Sequence, residues 1–183
     1  MSRIGKKAII IESDISVEVN NNKIMFSGPK GKFELTYPVS VTVEKKESQL
    51  LVSVNNDANN NLQGLYRSLI QNAVFGVKKG FIKTLELVGV GYRAETNGHQ
   101  LTLHLGYSHV INIDAPKDIN FQVDNNKISV VGIDKYLVGE IAATIRRTKP
   151  AEPYKGKGFR YVGEYIRKKA GKAAKTVGGV AAK

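Results

Sequence analysis

The 183-residue sequence contains no cysteine, which excludes disulfides, thiolate metal sites and cysteine nucleophiles together. No apolar run approaches the ~20 residues that a helix needs to cross a bilayer. The opening Met1-Ser2-Arg3-Ile4-Gly5-Lys6-Lys7 lacks the apolar core of a secretion signal and is poor in the Arg and Ser of an organelle transit peptide. A cytoplasmic protein without a membrane segment is the resulting expectation. Catalytic motifs are also missing. There is no Gly-x-Ser-x-Gly elbow, no phosphate loop ending in Gly-Lys-Ser/Thr and no His-Glu-x-x-His. His99, His104 and His109 have no carboxylate or second histidine at ligand spacing on a shared strand face. No enzyme, cofactor, metal site or small-molecule substrate is expected.

Acidic residues are scarce relative to basic ones, 16 Asp and Glu against 28 Lys and Arg, for a formal charge of +12. The excess is concentrated at one end. Residues 146–183 carry twelve basic groups opposed only by Glu152 and Glu164, a local charge of +10, which leaves +2 for the first 145 residues. Such a field suits a polyanion, because each neutralised phosphate releases condensed counterions. A solvated basic tail would explain a plain run of lysines, but this segment interleaves Pro, Gly and aromatic residues. It also lacks the bulky apolar face that a membrane-surface helix inserts.

A hydrophobic content of 42% is ordinary for a globular chain. Period-two alternation marks strands in Ile15–Val19, Lys23–Phe26, Lys32–Tyr37, Val39–Val43 and Leu51–Val54, with turns at Asn20-Asn21-Asn22 and Gly28-Pro29-Lys30-Gly31. From Leu62 to Lys79 the period changes, with Leu62, Leu65, Leu69 and Ala73 forming a helical stripe that Gly80 ends. The plan then recurs. Phe81–Val90 and Tyr92–Thr96 are strands, and Asn97-Gly98 is the favoured type I′ hairpin pair before Leu101, Leu103 and Leu105. Val110–Ile113, Ile119–Val123 and Lys127–Val131 follow, and Asp134 caps a helix bearing Leu137, Ile141 and Ile145. Leu51–Val54 overlays Ile128–Val131, and Gly64 overlays Gly139, at an offset of about 75 residues. The predicted class is α+β: two tandem similar domains, each an antiparallel sheet with one helix packed on a face. The units are 1–80 and 81–148, followed by a basic extension over 149–183 whose Ala-, Gly- and Lys-rich end has no core-forming residues.

The sharpest motif is Lys149-Pro150-Ala151-Glu152-Pro153-Tyr154-Lys155-Gly156-Lys157-Gly158-Phe159-Arg160-Tyr161. Two prolines hold the backbone extended, and Gly156 and Gly158 let the main chain approach a phosphate path. Lys155 and Lys157 supply charge, and the aromatics could stack on bases, although Phe159 or Tyr161 is expected to pack back on the second unit. Arg167, Lys168, Lys169 and Lys172 either line a short helix along a phosphate ridge or extend the tail, which also holds Lys175. Gly89-Val90-Gly91-Tyr92-Arg93-Ala94 fits a dinucleotide fingerprint, but that motif needs a helix immediately after it. Here a strand and hairpin turn follow, so a bulge or close strand approach is the better reading. The rival function classes are a nucleotide-using enzyme built on that motif and a basic nucleic-acid module with no fixed target.

Pro153-Tyr154-Lys155-Gly156-Lys157-Gly158 with Phe159-Arg160-Tyr161 resembles the large-subunit ribosomal protein six family. The resemblance also takes in Ser2–Lys7, Gly28–Gly31, Leu85–Ala94, Leu103–His109, Gly132–Lys135, Val138-Gly139 and Ala142-Ala143 with Ile145-Arg146, in collinear order over nearly the whole chain. Family members often have Pro where this chain has Ala8, Glu12, Val110 and Ala151; the last change leaves the entry to the Lys-Gly-Lys loop less rigid. The resemblance implies two tandem domains and a non-catalytic role in the large ribosomal subunit. It implies binding to large-subunit rRNA beside the sarcin–ricin loop, at the base of the factor-binding stalk where translational GTPases land. Neighbouring large-subunit ribosomal proteins are implied partners. Carried over by position, Tyr154, Lys155, Gly156, Lys157 and Gly158 lead the contacts, followed by Arg160, Arg167, Lys168, Lys169 and Lys172; Lys149 and Lys175 complete the basic set.

Overall fold

Alternation of apolar and polar side chains builds the first sheets. Val17 is buried between exposed Ser16 and Glu18 in β2 (Ser16–Asn20), and Ile24 and Phe26 are buried in β3 (Lys23–Gly28). Asn22 turns the chain between them at φ +62°, a left-handed conformation that Asn tolerates. With β4 (Gly31–Thr36) they form an antiparallel sheet in the order β2-β3-β4. A second sheet, ordered β1-β6-β5, pairs β1 (Ile9–Ile10), β6 (Gln49–Val54) and β5 (Val41–Lys46). The computed structural model describes residues 4–55, 60–169 and 171.

Helix α1 (Asn60–Lys78) covers both sheets and buries Ile70, Ala73, Val74 and Val77 against Ile9, Phe26, Val43 and Leu50. The stripe read from the sequence lies to one side of this face. Leu65 and Leu69 are 50% and 36% exposed, while Leu62 and Tyr66 pack against the core edge. Both stripes have helical spacing, so periodicity alone does not choose between them.

The second half repeats the arrangement with β7 (Phe81–Val88), β8 (Arg93–Thr96), β9 (Gln100–His104), β10 (Ile111–Asp114), β11 (Ile119–Asp124), β12 (Lys127–Gly132) and α2 (Lys135–Thr148). Strand order β11-β12-β7 mirrors β5-β6-β1, and β10-β9-β8 mirrors β4-β3-β2. The chain is thus α+β with two tandem similar units. Each unit carries two sheets around one core where the sequence suggested one. The two units are also offset differently from the sequence overlay. Pairing places Val41 and Val54 of one unit on Ile119 and Gly132 of the other, an offset of 78 residues. Leu50 and Val52 therefore match Ile128 and Val130, all buried, whereas setting Leu51 on Ile128 would exchange the faces of the strand. In the helices the buried set Ile70, Val74 and Val77 matches Val138, Ala142 and Ile145 at an offset of 68. The longer connection before α1 and its longer first turns absorb the difference.

Asp134 caps α2, accepting a hydrogen bond from the Tyr136 N–H at 2.8 Å, an arrangement worth about 1 kcal/mol. The β8–β9 turn differs from the expected type I′ pair. Positive φ falls on Gly98 and not on Asn97, whose Oδ1 instead accepts from the Gln100 N–H at 2.7 Å. Gly89–Gly91 joins β7 to β8 directly, with a strand after it, so the helix required by the dinucleotide fingerprint is absent. Finally β13 (Gly158–Tyr161) adds a fourth strand beside β7, in the order β11-β12-β7-β13. Among the described residues the first unit has no counterpart to it.

The halves meet closely at Gly76, where a Cβ would fall 2.2 Å from the Ile133 carbonyl oxygen. Only glycine permits α1 to approach the second unit this way. Beside the contact lies an apolar groove of about 210 Å³ lined by Phe33, Leu35, Leu69, Ile133 and Tyr136.

Candidate nucleic-acid interface

The Lys-Gly-Lys motif is a closed loop held at its base. Phe159 is fully buried in the second core, and its N–H donates to the Lys149 carbonyl at 2.8 Å. Pro150 bridges Phe159 in parallel fashion, so the end of α2 and the start of β13 are tied together. Above that tie the Glu152 N–H donates to the Lys157 carbonyl at 2.9 Å, and the Gly156 N–H to the Glu152 carbonyl at 3.0 Å. Gly158 is buried at φ +128°, where a Cβ would lie 2.6 Å from the carbonyl oxygens of both Lys149 and Pro150. Gly156, at φ +72°, faces open space.

The loop presents its lysines outward. Lys155 is exposed, Lys157 is half-buried and Tyr154 is 57% exposed. With Tyr92, Lys149, Pro150 and Glu152 they line an open, polar cleft of about 420 Å³. Lys149 leaves the end of α2 with its Nζ 4.2 Å from the centre of the Tyr107 ring and 5.9 Å from that of Tyr92, cation–π contacts that hold the charge at the cleft wall. The Tyr107 hydroxyl in turn donates to the Thr148 carbonyl at 3.0 Å.

Two arginines of the basic segment are engaged elsewhere. Arg160 pairs across strands with Glu86, Nε and Nη2 lying 2.9 and 2.8 Å from one carboxylate oxygen. It does not line the cleft. Arg146 forms a fork with Glu164, at 2.6 Å from Nη2 and 3.2 Å from Nε, and Glu164 also accepts the Tyr161 N–H at 2.9 Å. Those two hydrogen bonds, the arginine's first, hold the Glu164 carboxyl below its ordinary range, against a smaller opposing effect of burial. The same hydrogen bond raises the already high Arg146 pKa.

By contrast Lys155, Lys157, Arg167, Lys168 and Lys169 make no ion pair among the described residues. Arg167, Lys168 and Lys169 are exposed on a segment without regular secondary structure, and no short helix forms there among the described residues. The Lys169 N–H donates to the Pro153 carbonyl at 3.0 Å, which brings this segment back to the loop. That bond sets the backbone at Lys169 beside the loop that carries Lys155 and Lys157. Lys172 and Lys175 lie outside the described residues.

The family model described as Ribosomal protein L6 matches residues 11–80 and again 88–162. The chain belongs to the ribosomal protein L6 family. The second match ends just past β13, so the loop and its anchoring strand fall inside the family pattern. Among similar proteins, the large ribosomal subunit protein uL6 of Thermomicrobium roseum is 50% identical over 182 residues, covering 97% of this chain and 99% of its own length. That of Dictyoglomus thermophilum is 49% identical over 179 residues, with 96% and 99% coverage. The large ribosomal subunit protein uL6c of Porphyra purpurea is 47% identical over 178 residues, with the same coverage. The family is one of ribosomal structural proteins rather than enzymes.

Sequence reasoning did not assign Tyr92 and Tyr107 to this site. Both lie far from the loop along the chain, and only the turn after β7 and the loop after β9 carry them to it. Their signal was membership of the motifs Leu85–Ala94 and Leu103–His109, which fixes no partner. The engagement of Arg160 by Glu86 was equally invisible, because it depends on the register of β13 against β7.

Proposed function

We propose that the chain is a structural component of the large ribosomal subunit that binds large-subunit rRNA through the second unit. The working divisions are 1–80, 81–148 and the RNA-contacting segment 149–183. Lys149, Tyr154, Lys155, Gly156, Lys157 and Gly158 form the primary contact; Arg167, Lys168 and Lys169 extend it, and Lys172 and Lys175 are further contacts on the sequence alone. Arg160 serves the site by holding β13 in register. One observation carries this reading: unpaired lysines on a glycine-thinned loop whose base is locked into a hydrophobic core. A rigid cationic loop meets a folded backbone without the ordering cost that a free tail would incur. Lysine dominates over base-bidentate arginine, so shape and phosphate readout outweigh base readout.

The family resemblance supports the finer placement: beside the sarcin–ricin loop at the base of the factor-binding stalk, supporting the landing site of translational GTPases, with other large-subunit proteins alongside. Residence in cytoplasmic ribosomes belongs to the same proposal. Lys155→Ala with Lys157→Ala is expected to weaken binding to deproteinised large-subunit rRNA. It should also lower the slope of log affinity against log salt by roughly one to two units, about one per lost phosphate contact. An unchanged slope, or equal wild-type affinity for random duplex DNA, would count against the site. Crosslinking in intact particles with peptide mapping tests the placement.

A further inference from the structure

The loop after β9 carries a feature that the cleft does not require. Residues 106–110 are all exposed, yet Tyr107 and His109 hold their rings near-parallel, 15° apart with centroids 6.0 Å from one another. Tyr107 has a packing reason to be fixed: its hydroxyl donates to the Thr148 carbonyl, and its ring lies beside the Lys149 ammonium. His109 has none. Among the described residues its ring stacks on Tyr107 and makes no hydrogen bond or ion pair, and neither ring belongs to the hydrophobic core around Leu101, Leu103 and Leu105. Two oriented aromatic rings on a polar surface, with a cation at the end of the row, form a stacking platform with a phosphate counter-charge beside it.

We propose that Tyr107 and His109, with Lys149, form a stacking station for an unpaired RNA base adjoining the lysine cleft. This rests on the RNA-binding reading above and extends it from phosphate contact to a base. Lys149 and Tyr92 line the cleft and approach the station together, so one strand of RNA can place a phosphate by Lys155 and Lys157 and turn a neighbouring base onto the His109 ring. Aromatic stacking tolerates any base, so the station demands that a nucleotide be unpaired rather than of one identity. The plain alternative is that Tyr107 is only a strut for the end of α2.

The test measures affinity of the full chain for deproteinised large-subunit rRNA across a KCl series. His109→Ala should weaken binding roughly 5- to 100-fold. Its salt slope should stay unchanged, since what is removed is a ring face and not a lysine–phosphate contact. Tyr107→Leu should behave similarly, while Tyr107→Phe, which loses the hydroxyl bond and keeps the ring, should bind like wild type. Lys149→Met should lower the slope by about one unit. His109 is exposed and outside the core, so its variant folds even if Tyr107→Leu does not. Wild-type affinity in His109→Ala overturns the station alone, as does equal loss in Tyr107→Phe and Tyr107→Leu. A wild-type chain that fails to bind the rRNA overturns the station together with the reading beneath it.

Discussion

At the residue scale the two glycines of the Lys-Gly-Lys loop do different work. Gly158 combines a positive φ with carbonyl oxygens on the path of a side chain, so Gly158→Ala carries both backbone strain and a clash with atoms that cannot step aside. Destabilisation of about 1–3 kcal/mol is expected, read as a lowered denaturation midpoint. Gly156→Ala meets open space and bears only the left-handed penalty, about 1 kcal/mol, so the two variants should separate clearly in one urea titration. Glu164 supplies a pH dependence at the same scale. Its folded pKa lies below the ordinary value of 4.5, so its contribution is fully present above that value. It is lost as pH falls through the lowered folded pKa. Arg146, raised in the fold, contributes throughout the neutral range. Glu164→Gln should therefore flatten the acid limb of stability against pH; an unaltered acid limb would mean that the pair is inert.

At the element scale the second unit differs from the first by β13. This strand converts a basic segment into a loop with both ends fixed. Its anchor is Phe159, fully buried among Leu85, Leu87 and the underside of α2. Phe159→Ala is expected to destabilise the fold by about 3–5 kcal/mol, the usual cost of deleting a buried aromatic. It should also free the loop, so that hydrogen exchange at the amides of residues 158–161 accelerates beyond the change in the rest of the sheet. Uniform acceleration would show that β13 has no separate hold on the loop. Cross-strand pairing of Arg160 with Glu86 fixes the register of the same strand. Arg160, which sequence reading places among the expected RNA contacts, thus pairs with Glu86 on the strand that closes the loop.

For the whole molecule, the close contact of α1 with the second unit couples two cores that each have their own buried set. Gly76→Ala places a methyl 2.2 Å from the Ile133 carbonyl, so the helix must withdraw from the other half. Unfolding of the wild-type chain should be a single transition, and the variant should show two or a markedly broadened one in calorimetry. A sharp single transition in Gly76→Ala would mean that the halves were never coupled there. The apolar groove beside this contact, with Leu69 and Tyr136 at its rim, would open in the same variant.

Amino-acid order by itself determined the strands other than β1 and β13, both helices, the Asp134 cap, the repeat and the gathering of positive charge from Arg146 onward. Each of these follows from period, local hydrogen bonding or composition, which act between near neighbours in the chain. It also singled out Lys155, Lys157 and the glycines between and after them, because the motif is contiguous. Tertiary structure alone decided which helical stripe of α1 is buried, the register that matches Val52 with Val130, and the division of each unit into two sheets. It likewise decided that Arg160 faces Glu86 and that Tyr107 stands beside Lys149. Those outcomes depend on contacts between residues tens of positions apart, and a shift of one residue in a strand reverses every side chain it carries.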